Sequence, residues 1–194
     1  LRASGLAAVV FHEILGFVPS EVDARVRDAW ARVTAVAGHR LLGTVVGHAP
    51  YSTSPELLAA IARAHQGPAP LAIHLAESNE ELEFLRTGGG PFRALLERLE
   101  VWHPGWQPPG AHPVTYLRAA GYLKPGTLLV HGVHLKDEDL EQARDARAVI
   151  VTCPRSNVWV GGGVPPLARF YAAGVDVAVG TDSLASVDSL SVLD

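Results

Sequence analysis

The chain has 194 residues, 48% of them hydrophobic, enough for one sizeable core. A net charge of -4 with no basic block argues against nucleic acid, and no apolar run reaches the ~20 residues that span a bilayer. Cys153 is the only cysteine, which excludes an internal disulfide and fits a reducing, cytoplasmic compartment. Leu1-Arg2-Ala3 is no signal peptide, and a chain without methionine that stops abruptly at Asp194 reads as an internal piece of a longer protein.

Gly5 to His12 predicts a buried strand ending in His12 and Glu13. Ser20 is an N-cap candidate for a helix whose apolar stripe is Val22, Val26, Ala29, Trp30 and Val33, closed by Gly38. Leu41 to Gly47 is the second strand, ending at His48. Ser54-Pro55-Glu56 opens a helix to about Ala64, with proline at its first position. Gly67-Pro68-Ala69-Pro70 turns into the third strand, Leu71 to Leu75, which carries His74 near its end and Glu77 just beyond. An acidic, amphipathic helix follows, from Ser78 to about Arg86.

The period breaks at Gly88-Gly89-Gly90. Residues 88–112 contain one short helix, Pro91 to Leu99, and a Trp/Pro-rich run through Trp102 and Trp106, and they read as an insertion. Pro113 to Gly121 is helical, Thr127 to His131 is the fourth strand, and Asp137 to Arg147 is a helix. Ala148 to Thr152 is the fifth strand, followed by Cys153-Pro154-Arg155-Ser156-Asn157 and a glycine loop, 161–163. Pro166 to Ala173 is a helix stopped by Gly174. Val175 to Gly180 is the sixth strand, ending in Thr181-Asp182-Ser183.

Six apolar strands alternating with helices indicate an α/β protein with a parallel sheet covered on both faces. An open doubly wound sheet and a (β/α)8 barrel both satisfy that pattern. No glycine fingerprint follows the first strand, so a dinucleotide site has no support.

Of nine histidines, His12, His48, His74 and His131 fall at strand ends. Imidazole nitrogen with carboxylate oxygen suits zinc or iron. His74 and Asp182 fit as ligands, Glu77 as a proton shuttle, and His131 as a ligand or a holder of the reacting water. Each also has a plainer reading. His12, His48 and His134 fit ordinary hydrogen-bonded positions, with His134 pointing away from His131. Asp182 fits a helix N-cap and Glu77 a first-turn charge. Trp102 and Trp106 either pin the insertion to the body or stack a flat heterocycle. Cys153 reads as inert. Arg155, Ser156 and Asn157 read as loop residues and as substrate-contact candidates.

Taken together, His48-Ala49-Pro50-Tyr51 with Ser54-Pro55-Glu56, His74-Leu75-Ala76-Glu77, His131-Gly132-Val133-His134, Cys153-Pro154-Arg155-Ser156-Asn157 and Gly180-Thr181-Asp182-Ser183 resemble the amidohydrolase superfamily, in its branch of nucleobase-type aminohydrolases and chlorohydrolases. The resemblance implies a metal-dependent (β/α)8 TIM barrel of which this chain covers roughly strands 3 to 8. It implies one divalent ion, zinc or alternatively iron, on His74 and Asp182. Glu77, His131 and Asp182 would be catalytic, with His48 a substrate contact beside the candidates Trp102, Trp106 and Ser156. The implied partner is a small molecule, with a homodimer left open. The family's first strand ends in His-x-His, and no such pair occurs here. The segment alone is therefore expected to hold metal poorly and be inactive, with open sheet edges. The stretch from Glu77 to Arg86 leading into the Trp-rich insertion is further similar to members that deaminate 6-aminodeoxyfutalosine, an adenine-bearing menaquinone precursor. Dechlorination of an s-triazine and a non-catalytic α/β binding module are the alternatives.

Overall fold

The computed structural model describes residues 5–36, 38 and 40–193. Strand β1 (Ala8–Ile14) leads through a short 3-10 turn at Pro19–Glu21 into α1 (Val22–Val36), then β2 (Leu41–Gly47) and α2 (Pro55–Ala64). β3 (Ala72–Leu75) is followed by α3 (Asn79–Thr87), α4 (Gly90–Arg98) and α5 (Pro113–Ala119). β4 (Leu128–His131), α6 (Asp137–Asp145), β5 (Val149–Thr152), α7 (Pro154–Trp159), α8 (Leu167–Ala173) and β6 (Asp176–Val179) complete the order.

Strand order decides between the two expected architectures. β1 pairs with β2 in parallel, and β3, β4, β5 and β6 pair in parallel in that sequence. The two groups meet where the His74 N–H donates to the His48 carbonyl at 2.9 Å. The buried Tyr122 hydroxyl reinforces the seam: it accepts from Gly47 N–H and donates to the Ala72 carbonyl, both at 2.9 Å. The strands thus run side by side in chain order. A doubly wound sheet reverses its order at a switch point, whereas a barrel does not. The result is an arc of barrel strands with helices on its outer side.

Local chemistry explains the element ends. Ser54 accepts from the Leu57 N–H at 3.2 Å with Pro55 opening α2. Ser78 accepts from the Glu81 N–H at 3.3 Å, and α3 stops at Gly88, whose φ of 72° suits glycine. The core lies between the strands and the helices: Val45, Leu57, Leu58, Ile61, Ile73, Leu75, Phe84, Leu117, Leu129, Ile150 and Phe170 are buried. Among the described residues no helix is long and apolar enough to cross a membrane.

Two expectations need correction. β1 does not end at His12 but runs to Ile14, which brings Glu13 into the ladder opposite Val46. Residues 154–159 are not loop but helix α7, with Pro154 at its start. Within 88–112, α4 packs beside α3, and the chain then folds its tryptophans inward. Trp106 stacks on Phe84 at 4.7 Å, and Trp102 lies 6.1 Å from Phe17 and 5.7 Å from Trp106.

Candidate active site

The C-terminal ends of parallel strands collect side chains that the buried strand bodies exclude, and here they collect imidazoles and carboxylates. His74 leaves the end of β3. His131 ends β4 in a left-handed backbone conformation, φ 76°. Their rings stack with centroids 5.1 Å apart, and His74 Nδ1 lies 2.9 Å from His131 Nε2. His48 follows β2, its ring 5.1 Å from that of His74 and its Nδ1 2.7 Å from Ser52 Oγ. Glu77 places Oε1 3.5 Å from His131 Nε2.

The outer nitrogens of the central pair are also engaged. His74 Nε2 lies 3.2 Å from Glu13 Oε1, and His131 Nδ1 lies 2.7 Å from Asn157 Oδ1. A carboxylate and an amide oxygen only accept, so each of these nitrogens carries the proton. The inner nitrogens, His74 Nδ1 and His131 Nε2, then turn lone pairs toward each other. A proton or a cation relieves that repulsion. Nitrogen donors held by second hydrogen bonds, with carboxylates alongside, suit a zinc-class ion. Two groups have donor atoms all within 4.8 Å of one another: Glu13, His48 and His74, and His74, Glu77 and His131. Among the described residues Asp182 belongs to neither.

Charge and burial set the protonation. Burial pulls the His74 imidazole down, but the hydrogen bond and charge of Glu13 outweigh it and raise its pKa. Burial lowers His131, against the charge of Glu77. His48 is lowered by burial and then by His74. The bond from His74 holds the Glu13 carboxyl below its usual range. Asp182 pays for partial burial, yet Ser156 Oγ at 2.5 Å and Ser186 Oγ at 3.1 Å, both on Oδ2, keep it low with help from His131 and His74.

The structure therefore brings His48, Glu77 and His131 around His74, with Asp182 in their electrostatic reach. It moves Ser156 out of the substrate-contact set: its side chain is fully buried and holds the Asp182 carboxylate. Trp102 and Trp106 also lie apart from the histidines, packed on Phe17 and Phe84. The aromatic rings beside His48 are instead Tyr51 and Phe92, stacked at 3.7 Å and 3°. They line a cavity of about 550 Å³ with Phe17, Leu95, Leu96 and Leu99. Asn157 orients His131. A strand ending at His12 leaves Glu13 outside the site; β1 runs two residues further, to Ile14, and brings it in. Successive strand residues face opposite ways, so His12 and Glu13 cannot share a role.

Residues 3–194 match the family described as "Amidohydrolase family". The chain belongs to the amidohydrolase family. This amidohydrolase segment is 35% identical over 207 residues to the aminodeoxyfutalosine deaminase of Deinococcus radiodurans, covering 99% of this chain and 48% of that protein. It is 35% identical over 147 residues to the 5-methylthioadenosine/S-adenosylhomocysteine deaminase of Pyrococcus furiosus, covering 75% of this chain and 30% of that protein. The Helicobacter pylori aminofutalosine deaminase in complex with methylthio-coformycin superposes with a TM-score of 0.85 at 29% identity, over 100% of this chain and 48% of that one. A zinc-bound adenosine deaminase from Xanthomonas campestris shares the fold, with a TM-score of 0.72 at 21% identity over 97% of this chain and 40% of that one. The chain thus spans about half the length, or less, of these relatives. Its strands form part of a TIM barrel of the amidohydrolase type, and enzymes of this family are metal-dependent.

Proposed function

We propose that this segment supplies the proton-handling side of a hydrolase that deaminates an adenine-type nucleoside, with 6-aminodeoxyfutalosine as the substrate. The observation that carries the reading is the Glu77, His74 and His131 cluster at neighbouring strand ends. The deaminases named above at 35% identity support the substrate class. A divalent ion, zinc by donor chemistry with iron the other choice, would be held by His74 and Asp182 together with ligands outside this segment, and would lower the pKa of a water toward ~7.

The side chains perform the remaining work. His131, fixed through Asn157, and Asp182, fixed through Ser156 and Ser186, hold the reacting water against the ring carbon that bears the amine. Glu77 delivers a proton to the adjacent ring nitrogen as the carbon–oxygen bond forms. The carbon–nitrogen bond then breaks and the amine leaves as ammonia. Of the two water protons, one ends on the ring nitrogen through Glu77 and the other leaves in ammonia. The cavity beside His48 takes the remainder of the substrate, with residues 88–112 as its cover.

In the intact enzyme, Glu77→Gln is expected to lower turnover by ~10²-fold or more with metal content unchanged. Equal turnover removes Glu77 from the mechanism. Release of chloride from a chlorinated s-triazine, with no ammonia from adenine nucleosides, would overturn the deaminase reading in favour of dechlorination.

A further inference from the structure

Glu81 is fully buried, yet no cation is paired with its carboxylate among the described residues. Its partners are two consecutive backbone donors. Ala76 N–H reaches Oε1 at 2.9 Å and Glu77 N–H reaches Oε2 at 3.3 Å. Consecutive N–H groups converge on one anion only when the backbone between them turns, and Ala76 turns in the left-handed region, φ 52°. The Ala76 carbonyl is tied as well, by the His134 N–H at 3.0 Å. On the other side the glycine loop closes in: a Cβ on Gly162 would lie 2.7 Å from the Glu77 carbonyl oxygen. The backbone that carries Glu77 is thus gripped from both sides.

We propose that Glu81 is a positioning residue, the two-acceptor half of a clamp that aims Glu77 at the substrate, with Gly162 as the opposing jaw. The inference rests on the role given to Glu77 above. Glu81 touches no reacting atom; it acts through the peptide units on either side of the Ala76 turn. A glutamine there offers one acceptor oxygen and turns an N–H toward the second backbone donor. The turn must then open, and Glu77 swings with it. A displacement of about 1 Å at a proton donor costs roughly 10–100-fold in rate without touching the binding of remote substrate groups.

The test is a double-mutant cycle in the intact enzyme. Glu81→Gln is expected to lower kcat roughly 10–100-fold with KM and metal stoichiometry within twofold of wild type. In the Glu77→Gln background the same change is expected to cost nothing further, because the group being aimed is gone. Full kcat in Glu81→Gln, or effects that multiply in the double mutant, overturn the clamp and leave the reading of Glu77 standing. Wild-type turnover in Glu77→Gln alone overturns the reading of Glu77 instead. Should Glu81→Gln not fold, Gly162→Ala decides: its methyl group presses on the Glu77 carbonyl, and an unchanged kcat there overturns the clamp.

Discussion

Two carboxylates of this molecule occupy the same place on different helices and do different things. Glu81 is the third residue after the Ser78 cap of α3, and Asp139 is the third after Lys136 at the start of α6. Both are fully buried. Asp139 stays local. Its Oδ2 accepts from the Lys136 N–H at 3.1 Å and lies 3.3 Å from His112 Nδ1, while its Oδ1 accepts from Val114 N–H at 3.1 Å. It ties the first turn of α6 to that of α5. Glu81, one methylene longer, reaches past its own cap to Ala76 and Glu77. One capping position therefore serves packing in the first case and a strand-end carboxylate in the second. The length of the side chain selects which backbone is held.

Substitutions separate the two roles. Asp139→Ala strands the buried Val114 N–H and removes the acceptor of the part-buried Lys136 N–H, and is expected to cost about 2–4 kcal/mol of stability. Denaturant unfolding reads that loss, and kcat per folded molecule is expected to be unchanged. A kcat that falls in proportion to the stability would erase the distinction between the two sites.

The parts of this contrast were unevenly legible in the sequence. His48, His74, His131 and Asp182 stand out because each sits at or just beyond the end of a short apolar run that reads as a strand, and strand ends are where polar groups gather. The six strands and most helices followed from the same alternation. Glu81 did not stand out: among Glu80, Glu81 and Glu83 it looked like one more solvated charge on an amphipathic helix. The available signal was Ser78-x-x-Glu81, the capping-box spacing, which marks the third position as the one that turns back. Asn157 and Ser156 read as loop residues because they follow the fifth strand so closely. Pro154 instead takes a first helical position, and on that helix the two side chains bond His131 and Asp182. The Glu13–His74 pair depends on how far β1 extends, which composition does not specify.

A smaller effect probes Glu81 by pH. Burial pushes the Glu81 carboxyl up to about 7 from 4.5, against the two backbone donors that favour its charged form. A carboxyl raised in the folded state binds more protons folded than unfolded, so stability falls as pH rises from the unfolded value to the folded one. Between pH 4.5 and about 7, wild type is expected to lose roughly 2–3 kcal/mol relative to Glu81→Gln. Parallel stability curves for the two proteins over that range would show that Glu81 stays ionised throughout.

Tyr122→Phe probes the seam on which His48 and His74 hang. It strands Gly47 N–H and the Ala72 carbonyl, and is expected to cost about 1–2 kcal/mol by denaturant unfolding. Tyr122 bonds neither the Glu81 carboxylate nor the backbone groups that hold it, so this loss is expected without any change in the Glu81 pH dependence.

The smallest change gives the sharpest comparison. Ser78 caps α3 by accepting from the Glu81 N–H, while Lys136 has no hydroxyl to offer α6. Ser78→Ala removes a cap worth about 1 kcal/mol, and a stability measurement checks that loss. It leaves both backbone bonds of Glu81 in place. If Glu81 aims Glu77 by gripping residues 76 and 77, kcat survives Ser78→Ala nearly intact. If instead the helix as a whole carries the loop, loosening its first turn lowers kcat as far as Glu81→Gln does. Comparing kcat of the two variants at equal folded fraction separates a carboxylate that holds a loop from a helix that happens to follow one.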